Sequence, residues 1–231
     1  MRYVISDVHG EYELFVALLR KIRFSKEDEM LVGGDMIDKG KSSVRLLKLI
    51  FSLPNVKPII GNHEYAFLKY YHGLMQTIPY NPDDILRKLQ EYFPDDGHLL
   101  DWDTVDALEA LPTYIEEDDF LLVHAGVPIN DDGELLPPRL ATTEQLVHDR
   151  RFKAPELVHR DKRCVFFGHT ETTALIGRPR MIAYKRTPSP TRVNDYYKIH
   201  LDTGAWSRGV LGCFCIDTLK PFYVERADIK A

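Results

Sequence analysis

Five short segments of this 231-residue chain set Asp, Asn or His beside glycine, and each follows an apolar run. They are Ser6-Asp7-Val8-His9-Gly10, Gly34-Asp35-Met36-Ile37-Asp38-Lys39-Gly40, Gly61-Asn62-His63-Glu64, His124-Ala125-Gly126 and Gly168-His169-Thr170. A single histidine is more often structural than a ligand, but five such clusters at strand ends form a pattern. Carboxylate oxygen, amide oxygen and imidazole nitrogen together suit borderline divalent ions such as manganese, iron or zinc. No thiolate joins them, which disfavours a structural zinc site. Glycine beside each donor lets the backbone turn sharply and lets a ligand come close. Two metal ions about 3.5–4 Å apart can hold phosphate oxygens for an in-line displacement.

The elements that must position these donors are legible around them. Arg2–Ser6 reads as a strand, and Leu14, Phe15, Leu18, Leu19 and Ile22 follow at helical spacing. Glu29–Gly33 reads as a second strand, Val44, Leu47, Leu49 and Ile50 as a helix closed by Pro54, and Val56–Ile60 as a third strand. Repeated strand–loop–helix units predict a parallel sheet with crossover helices. Ligands of such sheets bind at the carboxyl ends of the strands, where the polar clusters fall. From Phe120 onward FLLVHAG, CVFFGHT, YKIHLDTGA, GVLGCFCID and FYVER read as short strands, and their spacing predicts hairpins in a second sheet. Between the two regions, residues 81–119 carry thirteen acids, Asp95 among them, and two bases. Leu86, Leu89, Val105, Leu108 and Leu111 make this segment helical, a solvated insertion or, alternatively, a lid. Residues 1–231 read as one domain.

The totals exclude several classes. Hydrophobic residues make up 44% and charged residues 28%, with a net charge of −5, which is ordinary for a globular protein. No apolar run reaches the ~18 residues of a membrane span, the first residues lack a signal-peptide pattern, and mild acidity argues against general nucleic-acid binding. Three cysteines are too few for a disulfide framework, so a reducing cytoplasm is expected. Cys213 and Cys215, two apart on a strand, face the same side and read as buried core.

The five segments in order resemble the motifs of the calcineurin-like metallophosphoesterases, most nearly the small bacterial branch of the PPP phosphoprotein phosphatases. That pattern is Asp-x-His-Gly, Gly-Asp-x-x-Asp-Arg-Gly, Gly-Asn-His-Glu, His-x-Gly and Gly-His, with Leu201-Asp202-Thr203-Gly204-Ala205 as a late strand. The resemblance implies an α/β four-layer αββα sandwich, two mixed sheets flanked by helices, with a dinuclear metal site at the strand ends. It implies two divalent ions, manganese first, with iron, zinc or cobalt admitted by the same ligands. Asp7 and His9 would hold one ion, Asp35 would bridge, and Asn62, His124 and His169 would hold the other. His63 would act as general acid, with Asp38 orienting it and keeping it charged. Water activated between the metals would attack directly.

Two positions depart from the pattern. Lys39 replaces the motif arginine and cannot offer a planar fork to phosphate. Ile60 stands where the eukaryotic protein phosphatases place another arginine. Arg150, in LVHDRRF, is favoured over Arg151 as the remaining phosphate contact, so substrate binding is assigned to Arg150, Lys39 and Asn62. The expected substrate is a phosphorylated protein, with phosphoserine or phosphothreonine, or a small phosphoester. A dinucleoside polyphosphate such as diadenosine tetraphosphate is the alternative, and a non-catalytic scaffold of the same fold the third reading. His72, His98 and His159 match no motif and read as surface or loop residues. His200 is weighed as an extra ligand, Asp202 as the holder of a turn or of a ligand histidine, and Trp206 as site lining or packing. The five bases between Arg178 and Arg192 read as a solvated loop or a mobile basic flap.

Overall fold

The computed structural model describes residues 1–77, 81–94 and 96–229; Asp95 of the acidic segment lies outside them. In chain order the first unit is β1 (Arg2–Ile5), α1 (Tyr12–Lys21), β2 (Glu29–Val32), α2 (Ser43–Ser52), β3 (Val56–Pro58) and α3 (Asn62–Thr77). Then come α4 (Pro82–Gln90), α5 (Trp102–Glu109), β4 (Tyr114–Glu116), β5 (Phe120–Val123), α6 (Thr143–His148), β6 (Cys164–Phe167) and α7 (Thr173–Ile176). The chain ends with β7 (Ile182–Lys185), β8 (Tyr196–His200), α8 (Ala205–Arg208), β9 (Val210–Cys215) and β10 (Lys220–Glu225).

Two five-stranded mixed sheets result, β10-β9-β1-β2-β3 and β4-β5-β6-β8-β7. Strands β1, β2 and β3 run parallel, as the repeated strand–loop–helix pattern predicts. Side-chain alternation assigns the layers. Val4, Leu31 and Phe214 of the first sheet face Phe120, Leu122 and Phe166 of the second in a central core. Tyr3, Ile5, Met30, Val32, Cys213 and Cys215 point the other way, under α1 to α5. Leu121, Val123, Val165 and Phe167 pack outward against Leu146 and Phe152. Strands buried on both faces need apolar residues on both, which is why they read as continuous runs. The αββα sandwich implied by the motifs is the observed architecture.

Several details differ from the sequence reading. Strands β5, β6 and β8 are parallel to one another, so the centre of the second sheet is not made of hairpins. GVLGCFCID and FYVER return to the first sheet as the antiparallel pair β9–β10. The basic segment is neither a free loop nor a flap: it contains edge strand β7, paired to β8. Arg180 binds Glu225, Arg192 binds Asp195, and Arg186 donates to the carbonyls of Asp161, Arg163 and Tyr196. The acidic segment is helical in α4 and α5 but ends in strand β4, and Ile85, Leu89, Phe93, Val105 and Leu108 bind it into the core. His159 is buried rather than at the surface: its ring stacks near Phe152 and its Nε2 meets the Tyr197 carbonyl at 2.7 Å.

Candidate metal centre

The donor clusters occupy the carboxyl ends of β1, β2, β5 and β6 and the first turn of α3. Hydrogen bonds between turns lock the first two loops together: Asp7 N to Gly34 O at 3.1 Å, His9 N to Asp35 O at 2.8 Å and Gly10 N to Met36 O at 2.7 Å. Asp7, His9, Asp35, Asp38, Lys39 and His169 all have φ between 48° and 70°. Of the eight described non-glycine residues with positive φ, these six lie in three donor loops. Each such residue costs roughly 1–3 kcal/mol and persists only where its surroundings over-determine it, a hallmark of functional sites.

Asp35 stands at the middle. Its Oδ2 lies 3.5 Å from His9 Nε2 and 3.8 Å from His63 Nε2, while its Oδ1 lies 3.4 Å from His124 Nε2. Two groups of candidate donors therefore share this carboxylate: His9, Asp35 and His63 on one side, Asp35, His124 and His169 on the other. Asn62 Oδ1 joins the second, 2.9 Å from His124 Nε2 and 2.7 Å from His169 Nδ1. Asp7 sits behind, its two oxygens accepting from His169 N at 3.1 Å.

The chemistry of these atoms fits cations. His9 Nδ1 donates to Ile37 O at 2.9 Å and His124 Nδ1 donates to Gly33 O at 2.8 Å, so each ring turns its Nε2 toward Asp35. The Lys39 ammonium already meets His9 Nε2 at 2.8 Å, a positive charge where a metal would bind. Among the described residues His169 Nε2 is buried without a hydrogen-bond partner. Glycine makes room: a Cβ at Gly61 would collide with Asp35 Oδ1, and one at Gly168 with Asp7 Oδ2. Electrostatics agree. Burial and the Asp35 charge push the Asp7 carboxyl up to about 6, although His124 opposes them. Burial acts against charge on Asp35 too, but His124, His9 and His63 hold its carboxyl well below the usual range. Divalent ions would supply positive charge to this buried pair.

His63 is placed differently. Its Nδ1 meets Asp38 Oδ2 at 2.6 Å, its ring packs edge-on to His9, and its side chain is 24% exposed. Burial lowers its pKa, but the Asp38 hydrogen bond and the charges of Asp35 and Asp38 raise it further, to a net upward shift. Arg150 is exposed just beyond α6, and its charge acts on His169, whereas Arg151 is tied to Asp149 at 3.2 Å. His200 lies outside both donor groups, buried with its ring 4.4 Å from that of Phe167. Asp202 holds a turn by accepting from Gly204 N at 2.9 Å.

Other residues gain parts that sequence reading did not give them. Glu64 is fully buried and accepts four backbone N–H bonds, from Asp35, Met36, Ile37 and Gly61, at 2.7–3.1 Å. The motif contained it, but only the fold shows that it ties the β2 loop to the start of α3. Tyr92, from the acidic segment, donates weakly to Asp38 Oδ2 at 3.4 Å, and no local pattern announces it. Buried Lys198 donates to the carbonyls of Phe152, Ala154 and Leu157 at 2.6–2.7 Å and so pins the loop after Arg150.

A family model described as calcineurin-like phosphoesterase matches residues 2–199, and the chain belongs to that family. Among proteins similar to it is the symmetrical bis(5'-nucleosyl)-tetraphosphatase of Salmonella paratyphi C (strain RKS4594), 33% identical over 129 residues, covering 54% of this chain and 43% of that protein. The symmetrical bis(5'-nucleosyl)-tetraphosphatase of Aggregatibacter actinomycetemcomitans is 30% identical over 146 residues, covering 62% and 49%. The matched region thus spans less than half the length of these curated relatives. A solved structure assigned as a diadenosine tetraphosphatase has the same fold, with a TM-score of 0.69 at 18% identity over 97% of this chain and 92% of that one. These likenesses overturn the expectation of a phosphoserine or phosphothreonine substrate, since the relatives carry the names of dinucleotide hydrolases. Among the described residues, no helix is long and apolar enough to cross a membrane.

Proposed function

We propose that this chain is a metal-dependent hydrolase of dinucleoside polyphosphates, with diadenosine tetraphosphate as its reference substrate. The likeness to symmetrical bis(5'-nucleosyl)-tetraphosphatases carries this reading. Ile60 supports it: it is buried and apolar where protein phosphatases present an arginine. Asp7 and His9 would hold one ion and Asn62, His124 and His169 the other, with Asp35 serving both. Manganese is the first choice, and the same donors accept iron, zinc or cobalt. The bound ions supply charge to polarise phosphate oxygens and to lower the pKa of water. His63 Nε2 gives a proton to the leaving phosphate oxygen, and Asp38 keeps that imidazole charged and fixes its ring. Arg150 holds substrate phosphate from the α6 side and Lys39 from the β2 side, with Asn62 as a further contact within the donor group. Three unpaired, buried cysteines accord with a reducing cytoplasm.

A substrate panel with added manganese tests the assignment. The expected result is a higher kcat/KM for the dinucleoside tetraphosphate than for any phosphopeptide, with two nucleoside diphosphates as products. A preference for phosphopeptides would overturn it.

A further inference from the structure

On the His9 side of the centre an open cavity of about 480 Å³ leads outward, lined by Gly10, Tyr12, Lys39, Lys41, Trp206 and Arg226 among others. A small pocket of about 10 Å³, bordered by His9 and Asp202, shares Lys39 and Trp206 with it. Trp206 is 46% exposed, an unusual position for the largest aromatic side chain. Its setting is not loose. Helix α8 has four residues, too few to hold itself, and it is braced from outside. Arg226 Nη2 donates to Trp206 O at 3.0 Å and to Ala205 O at 3.3 Å, and Arg226 is itself paired with Glu11 at 2.9 Å. Glu171 accepts from Ser207 Oγ at 2.5 Å and pairs with Arg208 at 3.3 Å. Gly204, with φ of 76°, turns the chain into the helix at little cost. The result is a half-exposed indole on a fixed mount beside the centre.

Lys39, Lys41 and Arg226 line the larger cavity, while Glu171 and Asp202 border the small pocket beside it. The acids at the cavity rim are occupied, Glu11 by Arg226 and Glu13 by Arg45 at 3.1 Å. Lys39 and Lys41 line this cavity and also the one beside Asp38. An aromatic face joined to the centre by two lysines matches a nucleobase carried on a phosphate chain, because every base has a face to stack and every phosphate a charge to neutralise.

We propose that this cavity is the subsite for one nucleoside end of the substrate, its base stacked on Trp206 and its phosphates passing Lys41 toward the centre. The proposal rests on the dinucleoside polyphosphate reading. Loss of base stacking weakens binding by about 5- to 150-fold.

The test has two arms. In the first, adenosine diphosphate is titrated into the full chain with manganese while tryptophan emission is followed. Saturable quenching that disappears in Trp206→Phe is expected; binding with no change in Trp206 emission would overturn the subsite. This arm needs no turnover, so it separates failure of the subsite from failure of the activity. In the second, Trp206→Ala raises KM for the dinucleoside tetraphosphate at least fivefold more than KM for inorganic tripolyphosphate, which has no base, and Trp206→Phe recovers most of the loss. Equal effects on the two substrates would sink the proposal.

Discussion

The proton on His63 is governed by one short contact, the 2.6 Å bond from Nδ1 to Asp38. Asp38 raises the imidazole pKa above 6.5, so the acid form survives to higher pH than in a free histidine. The alkaline limb of kcat then follows loss of that proton. Asp38→Asn removes the charge and lowers the His63 pKa, so the limb is expected to move to lower pH, with kcat at neutral pH reduced about 10²-fold or more. A pH–rate profile measures both, and an unmoved limb would remove His63 from the acid role. The stability effect has a matching sign. A histidine with a raised folded pKa stabilises fully below 6.5, and that contribution is lost as pH rises through the folded value.

Elements are held to the centre by polar ties that local propensity does not supply. Glu64 spends both carboxylate oxygens on four backbone donors, binding the β2 loop to α3. In Glu64→Gln an amide NH2 faces N–H donors, which costs about 1–3 kcal/mol. The melting temperature is expected to fall by roughly 2–4 °C per kcal/mol, together with kcat, because Asp35 is displaced. A variant with wild-type melting and turnover would show the tie to be dispensable. Farther out, Asp101 caps α5 by accepting from Thr104 N at 2.9 Å and pairs with Lys48 at 2.6 Å, which draws its carboxyl down to about 2. Asp101→Ala is expected to cost about 1 kcal/mol at neutral pH. Its folded pKa is depressed, so the contribution is present above 3.8 and lost as pH falls toward 2. Thermal melts of both proteins across that range check it, and a gap that widened in acid would contradict the assignment.

For the whole molecule, charge is divided rather than balanced. Residues 81–119 hold two bases against thirteen acids, a net −11, which leaves the rest of the chain at +6. The acidic helices pack on the first sheet, and Tyr92, Phe93 and Asp96 border the cavity beside Asp38, so the segment is a wall near the centre as well as a solvated surface. We propose that residues 1–231 form one domain, because the candidate metal donors come from both sheets. Binding of ions to the folded form alone must then stabilise the whole chain. The melting temperature is expected to rise with manganese concentration in a single transition. Asp35→Ala should abolish that rise, since its carboxylate faces both donor groups. Two transitions, or a manganese response that persists in the variant, would count against a shared centre in one cooperative unit.

The candidate donors were legible in the chain because their chemistry is local: Asp, Asn and His beside glycine, each after an apolar run, suggest a ligand set and the strand ends that carry it. Strands β1, β2 and β3 and helices α1 and α2 were legible for the same reason, since period and punctuation are written in consecutive residues. Substrate class was not, because the motifs describe the phosphate chemistry and leave the pocket around it open. Strand order was also beyond the chain's local pattern: pairing β9 with β1 depends on which long-range burial wins, and β7 emerged from a stretch that its charges disguised. Sequence alone therefore placed the candidate donors at strand ends, and its resemblance to the family implied the layered architecture. Only the tertiary structure could gather His9, His63, His124 and His169 around the Asp35 carboxylate, recruit Glu64 and Lys198 as ties, and leave Trp206 facing the cavity. Those relations join residues distant in sequence, and only packing brings them together.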